Sequence, residues 1–183
     1  VTTTPGLYDT IARRWCLPRA RARWDWFTDD DAALLEDAID RLPDDIAMIN
    51  RRTTLVHGDP RSDNVLYRGD GDVVLLDWAM AAHAHPGWDV GYLLSSCLTE
   101  DRVGATDDLV GRYEAAMRER GVEVCGDDLR AGIDAAYRAV AVQQLMSIAV
   151  LEGNYGDQAL ADLWMPRVLA GLRRRHPRLA DAA

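Results

Sequence analysis

At 183 residues, 48% of them hydrophobic, the chain is long enough for one domain with its own core and short for two. Its 30 acidic residues against 21 basic ones give a net charge of -9, which excludes a general binder of nucleic-acid backbones, since that role needs basic patches to displace counterions. An acidic face favours a cationic small molecule if it selects any partner.

Leu7 to Cys16 has the pattern of a short helix, and a connector rich in Pro, Arg and Trp follows through Pro18 to Trp26 and Phe27, whose aromatics are expected to pack. Thr28 ahead of Asp29, Asp30 and Asp31 reads as a helix start with negative charge at the positive dipole end. The amphipathic helix runs from about Ala32 to Ile39, with Pro43 as a break and a resumed turn to Asn50. Three β-prone runs come next: Thr53 to Val56, Asn64 to Arg68 and Val73 to Trp78, the last two joined as a hairpin by Gly69-Asp70-Gly71-Asp72.

Past Pro86 the chain turns helical, near Trp88 to Leu98, Thr106 to Arg120, Asp127 to Leu151 and Asp157 to Arg175, with Gly121, Gly126, Gly153 and Gly156 between segments. Arg173 to His176 reads as a charged helix end, and Glu114, Glu119, Glu123, Asp127, Asp128, Asp134 and Glu152 as a solvated face. Cys16, Cys97 and Cys125 are odd in number, far apart and without metal-ligand spacing, so buried reduced thiols are expected. No leader opens the chain, and even the apolar stretch Ala139 to Leu151 is interrupted by Gln143 and Gln144; a cytoplasmic protein with no membrane partner is the expectation.

The chemistry concentrates in His57-Gly58-Asp59-Pro60-Arg61-Ser62-Asp63-Asn64, a polar loop between the apolar runs Leu55-Val56 and Val65-Leu66. Catalytic groups tend to sit on loops held by rigid strands. Asp77 ends the second hairpin strand and brings another carboxylate near the loop. Phosphoryl transfer from ATP needs such a set: divalent cations neutralise the transferring group while a carboxylate orients the attacking hydroxyl and takes its proton. Magnesium takes one or two protein oxygens, so Asn64 and Asp77 are the expected Mg2+ ligands and Asp59 the base. Arg61 reads either as a phosphate contact or as a surface arginine, and Ser62 and Asp63 receive no role. His83 and His85 lack a third metal ligand and are expected in a loop over the substrate cleft, while Trp78 is expected to pack.

His-Gly-Asp, four residues, Asn, then a strand pair ending in Leu76-Asp77-Trp78 resembles the catalytic segment of the aminoglycoside phosphotransferase and choline kinase superfamily, a relative of the protein kinases. Pro86-Gly87-Trp88-Asp89-Val90-Gly91-Tyr92-Leu93-Leu94 is similar to the family's helix after the metal loop. The resemblance covers Leu55 to about Leu98, with Arg61 and Asp63 departing from the family's commoner His and Gly. It implies that Asp89 and His57 support the loop rather than touch substrate. It also implies an α+β, predominantly helical fold: the C-terminal lobe of a protein-kinase-like fold, one domain over 1-183, with catalytic segment 55-98 and helical remainder 99-183.

A complete enzyme of this type carries an N-terminal lobe with a glycine loop over the phosphates and a strand lysine. The 56 residues before His57 hold one glycine, Gly6, and the chain holds no lysine at all, every basic residue being arginine. Arginine's larger fork does not simply replace a lysine at a tight phosphate site. The expectation is therefore a lobe without its nucleotide-binding partner, a fragment or a truncated product, weakly active or inactive alone and with no nucleotide-contacting residue assigned. Two functions follow: an ATP-dependent lobe that phosphorylates a small-molecule alcohol, possibly cationic, or a non-catalytic binding or dimerising module, as a homodimer or against the missing lobe.

Overall fold

The computed structural model describes residues 5–51, 54–123, 125–150 and 157–175. Helices α1 (Pro5–Ile11) and α2 (Leu17–Arg23) are joined by a π-turn, Ala12–Cys16, so the chain stays helical through Pro18. The expected connector begins only at Trp24, because the widened turn just ahead of Pro18 absorbs the crowding a proline ring imposes on the preceding turn. Beyond it Trp24 stacks on Trp26 at 5.3 Å, with Phe27 set edge-on to both.

Helix α3 (Asp29–Ile49) starts on a capping box: the Thr28 hydroxyl oxygen accepts from Asp31 N at 3.2 Å, and the Asp31 carboxylate accepts from Thr28 N at 3.0 Å. Pro43 does not break it. The proline lies on the exposed side while Leu42, Asp45 and Ile49 stay buried, so tertiary burial outweighs the roughly 3 kcal/mol an interior proline costs.

Four short strands follow. β1 (Thr54–Val56) pairs antiparallel with β4 (Ala82–Ala84), and β2 (Val65–Tyr67) pairs antiparallel with β3 (Val73–Leu75) as the expected hairpin. The β1 pairing to the Ala-His-Ala segment is absent from the sequence reading; it closes the loop-and-hairpin region into one unit.

Four longer helices follow among the described residues: α4 (Gly87–Cys97), α5 (Thr106–Glu119), α6 (Gly126–Val150) and α7 (Asp157–Arg175). Helix α6 is the centre, packed by α3, α4 and α7, with Leu129, Ile133, Val140 and Leu145 sealed from solvent. Each such side chain contributes about 1.5–3 kcal/mol of burial. Close approach of α4 needs Gly91, where an added Cβ would sit 2.6 Å from the Ala136 Cβ. The architecture is α+β and predominantly helical.

Arg173, Arg174 and Arg175 form the expected charged end of α7, and they also pair with Asp31, Asp107 and Asp134, tying α7 to α3, α5 and α6. Two other expectations are corrected. Glu114 is buried, held by Arg118 and Arg130 at 3.3 Å each, rather than part of a solvated face. Of the cysteines only Cys16 is buried; Cys97 is half-buried and Cys125 exposed. Thr53, Glu152, Gly153, Gly156 and His176 fall outside the described residues.

Candidate functional site

Strand β1 ends at the buried Val56, and the chain turns at once into the polar loop. Gly58 makes the turn with φ 87°, and a Cβ there would lie 2.1 Å from the Met80 carbonyl oxygen, so both conformation and space demand glycine. The first turn of α4 grips this corner. Asp89 accepts from His57 N at 2.7 Å and Gly58 N at 3.0 Å, and the Trp88 indole donates to Gly58 O at 3.2 Å. Hydrogen bonds to an ionised partner are each worth about 1.5–3 kcal/mol.

His57 is sealed inside. Its Nδ1 accepts from Asp59 N at 3.3 Å, which fixes the proton on Nε2, and Nε2 donates to Leu76 O at 2.6 Å. The imidazole thus spans the loop and the end of the hairpin. Trp78 covers its ring at 4.7 Å while keeping much of its own surface in solvent.

Asn64 closes the loop in a 3-10 turn, Ser62–Asn64. Its Nδ2 donates to Asp59 O at 2.9 Å and Asp59 Oδ2 at 3.2 Å, which turns Oδ1, an acceptor, away from Asp59. Leu76 N donates to Asn64 O at 2.8 Å, so Asp77 stands one residue beyond the position paired with Asn64. Asp77 is exposed, with left-handed backbone at φ 56°, a conformation Asp tolerates better than other side chains with a Cβ. Among the described residues no group of three or more His, Cys, Asp or Glu is placed to hold a metal. Asn64 and Asp77 could offer an amide oxygen and a carboxylate, donors of the kind magnesium takes.

Asp59 presents two different oxygens. Oδ2 lies by Asn64, with Arg61 Nε at 3.8 Å; Oδ1 is closed off from solvent without a partner at ordinary hydrogen-bond distance. Arg61, left open between phosphate contact and surface residue, lies over the Trp164 ring at 4.8 Å and 3.7 Å from Asp63. Behind the loop Tyr92 of α4 and Gln144 of α6 are both buried, and Gln144 Nε2 donates to the Tyr92 hydroxyl at 3.1 Å. Burial above all, and then the nearby Asp59, raise the Tyr92 phenol above its usual range, against the pull of Arg61 and Gln144.

The sequence reading did not single out Tyr92 or Trp88 for this site. Gln144 left one trace, a polar residue interrupting an apolar helical run.

His85 is fully buried: it accepts from Gly87 N on Nδ1 at 3.0 Å, donates from Nε2 to Asp128 at 3.2 Å, and borders a cavity of about 360 Å³ with Pro86, Tyr113 and Leu129. His83 stays exposed on β4 and borders a mostly apolar cavity of about 530 Å³ between α3, the β1–β4 pair and α6. Gly58 and Met80 contribute to the cavity wall, but Asp59, Asn64 and Asp77 do not. The polar constellation and the cavity are therefore separate features that meet at Gly58.

A sequence model of a family described as phosphotransferase enzyme family matches residues 4–123, which spans α1 to the end of α5 and includes the loop, the hairpin and Asp89. Individual curated proteins give no match.

Proposed function

The chain belongs to the phosphotransferase enzyme family, and from that premise we propose that it is the catalytic lobe of an ATP-dependent enzyme that phosphorylates a hydroxyl of a small molecule. Asp59 is the base: its Oδ2 orients the acceptor hydroxyl and takes its proton. Asn64 holds Asp59 through both the backbone and the carboxylate, and offers its amide oxygen to magnesium together with Asp77. Bound magnesium would neutralise charge on the phosphates and on the group in transfer. Asp89 keeps the loop backbone in register, and His57 ties it to the hairpin end that carries Asp77. The acceptor is an alcohol, cationic if the acidic surface selects it, and the setting is cytoplasmic.

One observation carries this reading: Asn64 clamps Asp59 with its amide nitrogen while its backbone oxygen pairs with Leu76, next to Asp77. The base and one candidate ligand are thus hydrogen-bonded to each other, and the second candidate ligand is the residue after Leu76, the backbone partner of Asn64. Nucleotide binding by calorimetry with and without Mg2+ tests it, alongside ATP turnover. Saturable, Mg2+-dependent binding that disappears in Asp77→Asn supports the reading; equal affinity without Mg2+, or in the variant, contradicts it.

A second reading is favoured by the hairpin. Its register sets Tyr67 opposite Val73 and Val65 opposite Leu75, and Tyr67 is 76% and Val73 54% exposed. An apolar strand face left in solvent suits a covering partner, a second copy or another lobe, and a non-catalytic dimerising module is its functional form. Flat nucleotide titrations together with a stable dimer in light scattering would favour it.

No described helix is long and apolar enough to cross a membrane.

A further inference from the structure

Helix α6 carries two adjacent glutamines inside an apolar run, and the fold turns them to different places. Gln144 is buried and donates to the Tyr92 hydroxyl at 3.1 Å. Gln143 instead lines the cavity of about 530 Å³ between α3, the β1–β4 pair and α6, and Ser147, one turn further along the same helix face, lines it as well. Asn50 at the end of α3, Tyr8 of α1 and His83 of β4 bring the other polar groups of the wall. The remainder is apolar, with Leu42, Ile46, Val56, Val142, Met146 and Trp88 among its residues. Although 28% of the chain's residues are charged, no aspartate, glutamate or arginine stands on this wall among the described residues.

Small-molecule sites occupy roughly 300–1,000 Å³ and present apolar walls with a few hydrogen-bonding groups, as this cavity does. An ammonium or carboxylate buried there would have no counter-charge, which favours an uncharged ligand. Met80 and Met146 let the wall adapt to an irregular shape. We propose that the cavity is a binding site for an uncharged, largely apolar small molecule, with Gln143 and Ser147 placed to hydrogen-bond its polar end. The site goes beyond the phosphotransfer reading and does not depend on it, because Asp59, Asn64 and Asp77 are not on the wall. It shares a partition with the catalytic loop: Gly58, Met80 and Trp88 line the cavity, and the Trp88 indole donates to Gly58 O at 3.2 Å. An occupant therefore packs against the residue that precedes Asp59.

A neutral fluorescent probe, N-phenyl-1-naphthylamine, titrated into the unchanged chain at about pH 8 tests the site. The expected result is saturable binding of a single probe molecule with Kd on the order of 10–100 μM. Two competitors with the same rings identify the wall: 2-naphthalenemethanol should displace the probe at a concentration at least about tenfold lower than 2-naphthylmethylammonium does. The chain's net charge of -9 by itself favours the cation, so adsorption to the outer surface gives the opposite order. Ala139→Phe fills the cavity from α6 and should weaken probe binding at least about tenfold; Ala82→Phe fills it from β4 and reads the same space if the first variant fails to fold. Ala115→Phe, on the exposed side of α5, should leave binding unchanged. Gln143→Leu should weaken 2-naphthalenemethanol by about threefold to tenfold, the effect of one neutral hydrogen bond. Absence of saturable binding, preference for the ammonium, or probe binding that survives filling of the cavity overturns the proposal.

Discussion

Replacing Gly58 with alanine should damage the loop more than its size suggests, and a second glycine separates the causes. Both Gly58 and Gly71 have left-handed backbone, at φ 87° and 91°. Alanine in that region costs about 1–2 kcal/mol wherever it occurs. At Gly71 nothing lies within 4 Å of the new Cβ, so Gly71→Ala should lose only that amount. At Gly58 the Cβ would meet the Met80 carbonyl oxygen at 2.1 Å, and because both sides of the clash are backbone, no rotamer relieves it. Overpacking of that kind adds about 1–3 kcal/mol, so Gly58→Ala should cost about 2–5 kcal/mol in all. In a chain of this length 1 kcal/mol shifts Tm by roughly 2–4 °C, which predicts a loss of roughly 4–20 °C against about 2–8 °C for Gly71→Ala. Thermal and urea unfolding measure both. Equal losses in the two variants would refute the claim that contact with Met80, rather than backbone conformation alone, fixes this corner.

Removing the Asp89 carboxylate leaves two buried N–H groups, those of His57 and Gly58, without their acceptor. Asp89→Ala should therefore cost about 2–4 kcal/mol in urea unfolding, while Asp89→Asn, which keeps one acceptor oxygen, should lose less; similar values for both would count against this role. Asp45 pairs with Arg138 at 2.6 Å, and burial raises the Asp45 carboxyl above its ordinary value even though Arg138 pulls it down. A raised carboxyl binds more protons folded than unfolded, so its contribution to stability declines as pH rises from about 4 through the folded value. Arg138→Met removes the opposing influence, and should cost about 3 kcal/mol at pH 7 but clearly less near pH 4, a trend that stability curves at both pH values would show or exclude.

Much of the site was legible because it is local. His57 to Asn64 lie on eight consecutive residues, and Gly69-Asp70-Gly71-Asp72 fixes the hairpin that delivers Asp77, so spacing alone predicts neighbourhood. The β1–β4 pair was not legible, since Ala82-His83-Ala84 has no β-branched residue and pairs only because the turn after Asp77 returns it to β1. Pro18 and Pro43 misled for a common reason: proline's local penalty is real, but a π-turn absorbs it in one case and burial of Leu42 and Ile49 outweighs it in the other. Tyr92 and Gln144, hydrogen-bonded to each other behind the loop, lie 33 and 85 residues from Asp59 on different helices; a helical pattern shows which face is apolar, not which buried polar groups will meet.

Paramagnetic broadening by Mn2+ together with ATP, read on the side-chain amide of Asn64 and the backbone amides of Asp59 and Asp77, tests most directly whether these residues share a cation. The account predicts selective loss of those three signals, and their recovery in Asp77→Asn, which keeps the left-handed turn while removing the charge. Signals at 59, 64 and 77 that persist while others broaden, or broadening untouched by the substitution, would contradict it.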